Sequence, residues 1–309
     1  MTMRAIEYTQ YGGPEVLVMS TRPSPKCGPG EVLIEMHAAS VNPVDGKIRS
    51  GRLKPMPGTF PATTGRDGAG IIRQVGAGVA ADLIGRRVCF MAPRGMGTWA
   101  EELALPAGLA VPIPDAMTFV EAASLPLAGT SAWIGLVETV ALEPGMRVLI
   151  HAAAGGVGSL AVQLAKSMGA EVTATCSSRN AEYVRSLGAS RVVAYNEARF
   201  EDCVKNLDVV FDLLGGEVHR RSYAVLRRGG KLVYLNAEPI EDRGEEFGIQ
   251  VRMAHVLPSR NALAGIVDRS AAGVLRATVE KVLPFEEFAQ AQRLSDEGHI
   301  RGKVVLRVR

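Results

Sequence analysis

Cysteine is scarce in this 309-residue chain, and the four present (Cys27, Cys89, Cys176 and Cys203) lie far apart and form no C-x-x-C pair. That spacing excludes a disulfide framework and points to free, mostly buried thiols in a reducing cytoplasm. No uncharged apolar run is long enough to span a bilayer. The first residues, with Arg4 and Glu7 close together, lack the apolar core of a signal peptide. Charge of one sign is also missing. The formal net charge is only +3, and the Arg-Arg pairs at 86–87, 220–221 and 227–228 are scattered among acids. They read as solvated faces rather than a nucleic-acid stripe, so neither membrane nor nucleic acid is an expected partner.

What is present is the composition of a globular protein, 47% hydrophobic and 22% charged, on a chain long enough for two compact domains. The most informative stretch runs from Arg147 to Arg179. An apolar strand enters a glycine turn at Gly155, Gly156, Val157 and Gly158, a helical segment carries Leu160, Leu164 and Met168 on one face, and a β-branched strand follows at Val172 to Thr175. Strand, glycine turn, helix, strand is the unit that grips a dinucleotide pyrophosphate at a helix N-terminus. The glycines permit the tight turn and the close approach of phosphate, and the small Ala161 lets helix and strand pack together. A second G-x-G-x-x-A match, Gly76 to Ala81, is rejected, because the six residues between Gly78 and Gly85 cannot hold a crossover helix.

Residues 1–120 read as short strands and turns, with strands at Glu31 to Met36, Ile71 to Val75 and Arg87 to Met91. Helices are expected over Val120 to Leu127 and Thr130 to Val140. Strands and helices then alternate, with strands at Arg191 to Tyr195, Leu207 to Leu213, Lys231 to Leu235 and Ile249 to Leu257 and helices at Glu217 to Leu226 and from Asn261 to about Val274. Alternation of this kind predicts an α/β fold with a doubly wound, six-stranded parallel sheet. The last segment, with strands at Val279 to Leu283 and Lys303 to Val308, resembles the first region and is expected to fold back onto it.

An NAD site places an acidic residue about 20 positions beyond the glycines, on the ribose 2′-OH. Here Ser178 stands twenty residues past Gly158, between Ser177 and Arg179, and the nearest carboxylate is Glu182. Hydroxyls and a guanidinium suit a 2′-phosphate, which favours NADP(H); Ser178 is equally placed to cap the following helix.

Segments in order along nearly the whole chain resemble the zinc-independent quinone oxidoreductases of the medium-chain dehydrogenase/reductase superfamily, the zeta-crystallin-like group. They are Y-G-G-P-E-V-L at Tyr11, V-N-P-V-D-G-K-I-R-S-G at Val41, F-P-A-T-T-G-R-D-G-A-G at Phe60, A-A-S-L-P-L-A-G-T-S-A-W at Ala122, A-A-A-G-G-V-G at Ala152 and G-H-I-R-G-K-V-V-L at Gly298. The resemblance implies a GroES-like, β-rich catalytic domain from residues 1–120 and 276–309, with a Rossmann NADP(H)-binding domain at 121–275. It also implies that zinc-using relatives carry a cysteine ligand where Asn42 stands, a histidine and glutamate where Arg66-Asp67 stand, and often a four-cysteine zinc lobe. Without such donors no Lewis acid polarises the acceptor, which must then be electron-poor by itself.

The implied reaction is direct hydride transfer from NADPH to a quinone, or on the same scaffold to an enone, alkenal or enoyl-thioester. Asn42 and Asp45 are expected to face the nicotinamide and substrate, although N-P-x-D is also a good turn. Thr130 is expected to begin a helix near the nicotinamide, a place a threonine N-cap would also take. Leu214 and Gly215 after the fourth strand, Asn236 after the fifth, and Lys303 are further cofactor-side residues. His151 before the glycine turn reads as a satisfied core histidine. Loops such as Arg52 to Thr59 would shape the acceptor cavity. The last sheet strand would leave an apolar edge, so a homodimer is expected. A reading of another class is an NADPH-binding redox sensor or RNA-binding protein with little catalysis.

Overall fold

In the computed structural model, residues 1–53, 60–235 and 240–309 are described below. The chain divides into two compact units. One holds Met1–Leu127, Leu257–Ala271 and Ala277–Arg309; the other holds Ala128–Val256 and Ala272–Arg276.

In the first unit the strand Glu31–Val41 is central and longer than its sequence pattern indicated. Val32, Ile34 and Met36 alternate into an apolar core with Ile72, Phe90 and Trp99, all fully buried or nearly so. Removing these faces from water is the main favourable term, about 25 cal/mol per Å² of apolar surface. Glu31–Val41 pairs antiparallel with Asp67–Val75, with Glu102–Pro106 and with the closing strand Lys303–Arg307. Register then fixes chemistry. Ser40 lies opposite Asp67 on one side and Val305 on the other, and Val304 opposite Val41 sets Lys303 beside Asn42. A second sheet of three strands, Val18–Pro23, Thr2–Tyr8 and Ala62–Thr63, completes the unit.

The second unit carries six parallel strands in the order Arg191–Ala194, Glu171–Cys176, Arg147–Ile150, Leu207–Asp212, Leu226–Tyr234, Gln250–Met253. This is the 3-2-1-4-5-6 order of a doubly wound dinucleotide fold, with its switch point beside Arg147–Ile150. Four elements differ from the sequence pattern. The last strand is Gln250–Met253 in place of Ile249 to Leu257. The helix expected over Glu217 to Leu226 is Gly216–Ser222 followed by a 3₁₀ turn, and the next strand already begins at Leu226. The acidic loop before the last strand contains a helical turn, Gly244–Phe247, stopped by Gly248 at φ 63°. Thr130 does not begin a helix: Pro126 opens it, and Thr130 sits inside Pro126–Trp133, which runs on into a π turn at Ile134–Thr139. Proline pre-sets the first-turn φ and needs no N–H there.

The glycine turn is held by backbone contacts. Gly155 caps the helix Gly156–Ser167, and the N–H of Gly155 donates to Ala152 O at 3.0 Å. A Cβ on Gly158 would lie 2.3 Å from Ala152 O and 2.7 Å from Ala153 Cα, backbone atoms that cannot swing away. Ala161, one helical turn on, is fully buried. Gly158→Ala is therefore expected to cost about 1–3 kcal/mol, measured as a lower midpoint of thermal unfolding; an unchanged midpoint would contradict this packing.

Candidate active site

At the core of the first unit lies a buried polar cluster. Asp67 accepts four hydrogen bonds or ion contacts: Ser40 Oγ at 2.6 Å, Asn42 Nδ2 at 3.0 Å and Lys303 Nζ at 3.6 Å reach Oδ2, and the Leu127 N–H reaches Oδ1 at 2.8 Å. Lys303 Nζ also donates to Val41 O at 3.0 Å and to Asn42 Oδ1. A carboxylate only accepts and an ammonium only donates, so Asn42 between them has one possible amide orientation. Burial lowers the pKa of Lys303, against the opposing pull of Asp67 and Asp45.

Asp45 serves the backbone. Its Oδ2 accepts the Asn42 N–H at 2.8 Å, at the start of the helix Pro43–Arg49. The turn-forming reading of N-P-x-D is what the local geometry displays. Burial, with Asp67 close by, pushes the Asp45 carboxyl up to about 7 even though the Asn42 N–H opposes it. Arg66 is only 4% exposed. Its Nε donates to Ala92 O at 2.7 Å, and its two terminal nitrogens have no hydrogen-bond partner among the described residues. Asp45 and Arg66 line a cavity of about 400 Å³ with Tyr8, Tyr11 and Phe60. The rings of Tyr8 and Tyr11 each meet Phe60 edge-on, at 5.8 and 5.2 Å.

The second unit gathers its candidates at the carboxyl ends of adjacent parallel strands, where such folds take ligands. Gly155, Gly156, Val157 and Gly158 form the first turn after Arg147–Ile150, and the leading N–H groups of a helix have no acceptor within it. Ser177 takes the N-cap position of the 3₁₀ turn Ser178–Asn180 after the neighbouring strand, without a side-chain capping bond. Ser178 is locked to Asn196: its N–H donates to Asn196 Oδ1 at 2.8 Å and its Oγ accepts from Asn196 Nδ2 at 2.9 Å. The Ser178 hydroxyl keeps its proton to donate. Arg179 beside it is exposed. On the other side, Asp212 Oδ1 accepts the N–H groups of Leu214 and Gly215 at 2.9 and 3.0 Å, while Oδ2 meets His219 Nδ1 at 2.8 Å. Burial alone would raise the Asp212 pKa, but these bonds hold it below the usual carboxylate range. Gly215, at φ 77°, needs the left-handed region that glycine allows.

Thr130 is fully buried and its hydroxyl has no partner among the described residues, an arrangement that costs about 1–3 kcal/mol unless a ligand supplies one. His151 is satisfied on both sides, by Thr175 Oγ1 at 2.9 Å and Ser222 Oγ at 3.0 Å, and burial lowers its pKa to about 4. It is a neutral core residue. Asn236 and residues 54–59 of the Arg52 to Thr59 loop lie outside the described residues. Among those described, no three His, Cys, Asp or Glu side chains gather in a way that could hold a metal ion. The sequence alone did not mark Ser40, Asp212 or His219 for their positions, and it singled out Asp67 only as a missing ligand.

Asp45 has a measurable consequence. Its folded pKa lies above the unfolded value near 3.8, so its contribution to stability is complete below about pH 4 and is lost as pH rises through about 7. Asp45→Asn keeps an acceptor for the Asn42 N–H and removes the titration. Between pH 4 and 8 the wild type is expected to lose on the order of 4 kcal/mol relative to the variant. Thermal midpoints of the two across that range check this, and parallel curves would contradict it.

The chain matches two family models, the alcohol dehydrogenase GroES-like domain over residues 28–115 and the zinc-binding dehydrogenase over residues 187–306. It is 34% identical over 316 residues to an NADPH-dependent alkenal/one oxidoreductase, chloroplastic, of Arabidopsis thaliana, covering 98% of this chain and 79% of that one. Among solved structures, the quinone oxidoreductase from Coxiella burnetii superposes with a TM-score of 0.92 at 31% identity, over the full length of both chains. The Escherichia coli quinone oxidoreductase complexed with NADPH gives 0.90 at 27% identity, again over both full lengths. With a GroES-like β-rich unit, a doubly wound six-stranded sheet and these relatives, the chain belongs to the medium-chain dehydrogenase/reductase superfamily, as an oxidoreductase of its quinone and alkenal oxidoreductase group.

Proposed function

We propose that the protein is an NADPH-dependent quinone reductase that transfers hydride directly to an electron-poor acceptor without a metal. The observation that carries the metal-free part is the Lys303 ammonium seated on Asn42 Oδ1 and Asp67, with the Arg66 guanidinium nearby in sequence. One cation at a position where metal-using relatives carry a donor, and another bonded to the residues at two more, repel a divalent ion. The alternative acceptor class, enones and alkenals, draws support from the similarity to the Arabidopsis alkenal/one oxidoreductase.

The residues fit a dinucleotide. The glycine turn opens a helix whose leading N–H groups have no acceptor within it, and the orphaned hydroxyl of Thr130 awaits a partner. In this reading Gly155, Gly156, Val157 and Gly158 bind the pyrophosphate through backbone N–H groups. Ser177, Ser178 and Arg179 take the 2′-phosphate, and Leu214, Gly215, Asn236 and Thr130 the ribose and nicotinamide end. Asn42, Asp45 and Lys303 form the catalytic-side wall. When bound, the cofactor supplies a hydride; the protein supplies orientation, exclusion of water and hydrogen bonds to the developing charge. We also place the protein in the cytoplasm, where its free thiols are stable. As a homodimer it would cover the outer edge of Gln250–Met253, the terminal strand of its sheet.

Three measurements test this. Purified protein given NADPH with matched panels of quinones and enones is expected to reduce quinones faster. Far faster turnover of enones moves the acceptor class to the alternative, and tight NADPH binding with no turnover at all favours the redox-sensing or RNA-binding reading. Ser178→Asp places a carboxylate where an NAD site has one, and is expected to lower the NADPH-over-NADH preference by about tenfold or more; an unchanged ratio puts the 2′-phosphate elsewhere. Sedimentation at micromolar concentration is expected to show a dimer, and a monomer would contradict the edge pairing.

A further inference from the structure

We infer that the Arg66 guanidinium is the group that binds the acceptor's oxygen, so that the cavity it lines is a site for oxygen-bearing, anion-forming planar molecules. The inference rests on the reductase reading and adds to it a residue and a recognition chemistry.

Arginine so deeply buried normally pairs with a carboxylate, because an isolated buried charge is costly. Arg66 does not. Its Nε is spent on Ala92 O at 2.7 Å, which braces the side chain. That leaves the four N–H groups on its terminal nitrogens, which have no hydrogen-bond partner among the described residues. The two buried acids nearby are occupied. Asp67 is saturated by Ser40, Asn42, Lys303 and the Leu127 N–H. Asp45 accepts from Asn42 N, and burial pushes its carboxyl up to about 7. A cation with no ion-pair partner among the described residues therefore lines a cavity of about 400 Å³, large enough for a small aromatic molecule, with Tyr8, Tyr11 and Phe60 in its wall together with Arg22, Asp45 and Glu102. A forked donor beside aromatic rings is suited to a carboxylate or to a conjugated carbonyl.

The step balances without further reagents. Hydride adds to the electrophilic carbon of the conjugated acceptor, its π electrons move onto the carbonyl oxygen, and that oxygen becomes an anion. Arg66 holds the anion by charge-assisted hydrogen bonds until a proton from water completes the product. The cofactor is the two-electron donor, and the arginine neither gains nor loses a proton.

The test uses benzoate as a stable planar oxyanion and benzamide as its neutral match. In the wild type, benzoate is expected to compete with the acceptor at least about tenfold better than benzamide; equal inhibition by the two overturns the inference, and this arm needs no variant. Calorimetric titration of the full chain reads benzoate binding independently of turnover. Arg66→Gln is expected to weaken benzoate about tenfold or more and to lower kcat/KM by roughly 10²–10³, with NADPH affinity unchanged. Arg66→Lys, which restores the charge, is expected to recover part of both. Wild-type benzoate affinity or wild-type kcat/KM in Arg66→Gln overturns the inference. A wild type that reduces neither quinones nor enones but binds benzoate through Arg66 defeats the reductase reading and leaves the anion site standing.

Discussion

The carboxylate of Asp67 is the constraint on which the candidate site depends. It lies fully buried on a strand of the central sheet and gathers a serine hydroxyl, an amide, an ammonium and a backbone N–H. Each partner is there for a backbone reason. Ser40 and Asp67 face each other across an antiparallel pair, and Lys303 arrives because the closing strand pairs beside Asn42. Leu127 stands at the end of the first unit's opening segment. Removal of any one member leaves a buried charge or amide unsatisfied, which is more costly than the average hydrogen bond is stabilising.

This network gives the local chemistry its direction. A site for a divalent cation needs several neutral or anionic donors converging on one point. Here a lysine already neutralises Asp67, and Asn42 is turned by the need to accept from that lysine and donate to the carboxylate. Asp45, three residues on from Asn42, is left in a dry environment close to another acid, and its carboxyl is pushed up to about 7. In the second unit the binding surface is largely backbone: glycine N–H groups after one strand, and a loop after the next held by Asp212 and His219.

Much of this was legible in the sequence, and the pattern of what was not has a physical basis. The glycine turn, the parallel strands and the satisfied state of His151 follow from local features, because short-range periodicity and the chemistry of glycine act within a few residues. The absence of a carboxylate near Ser178 was equally readable. The Lys303–Asn42 contact spans 261 residues of chain, and only the register of two strands brings it about. Asp212 gave no signal that it would clamp the Leu214-Gly215 backbone, since an aspartate at a strand end has many possible partners. Thr130 was misplaced because a proline four residues earlier, not the threonine, opens the helix. The family resemblance supplied candidate residues; the packing shows which of them the fold itself holds in place.

In the proposed reading, reduction proceeds without a metal, beside the buried cations Lys303 and Arg66. The most direct measurement is NADPH-driven acceptor turnover after exhaustive chelation, with zinc content determined on the same sample and zinc then restored. Full turnover is expected with zinc far below one atom per chain, and no gain when zinc is added. Activity that disappears with the metal and returns with it would contradict metal-free hydride transfer.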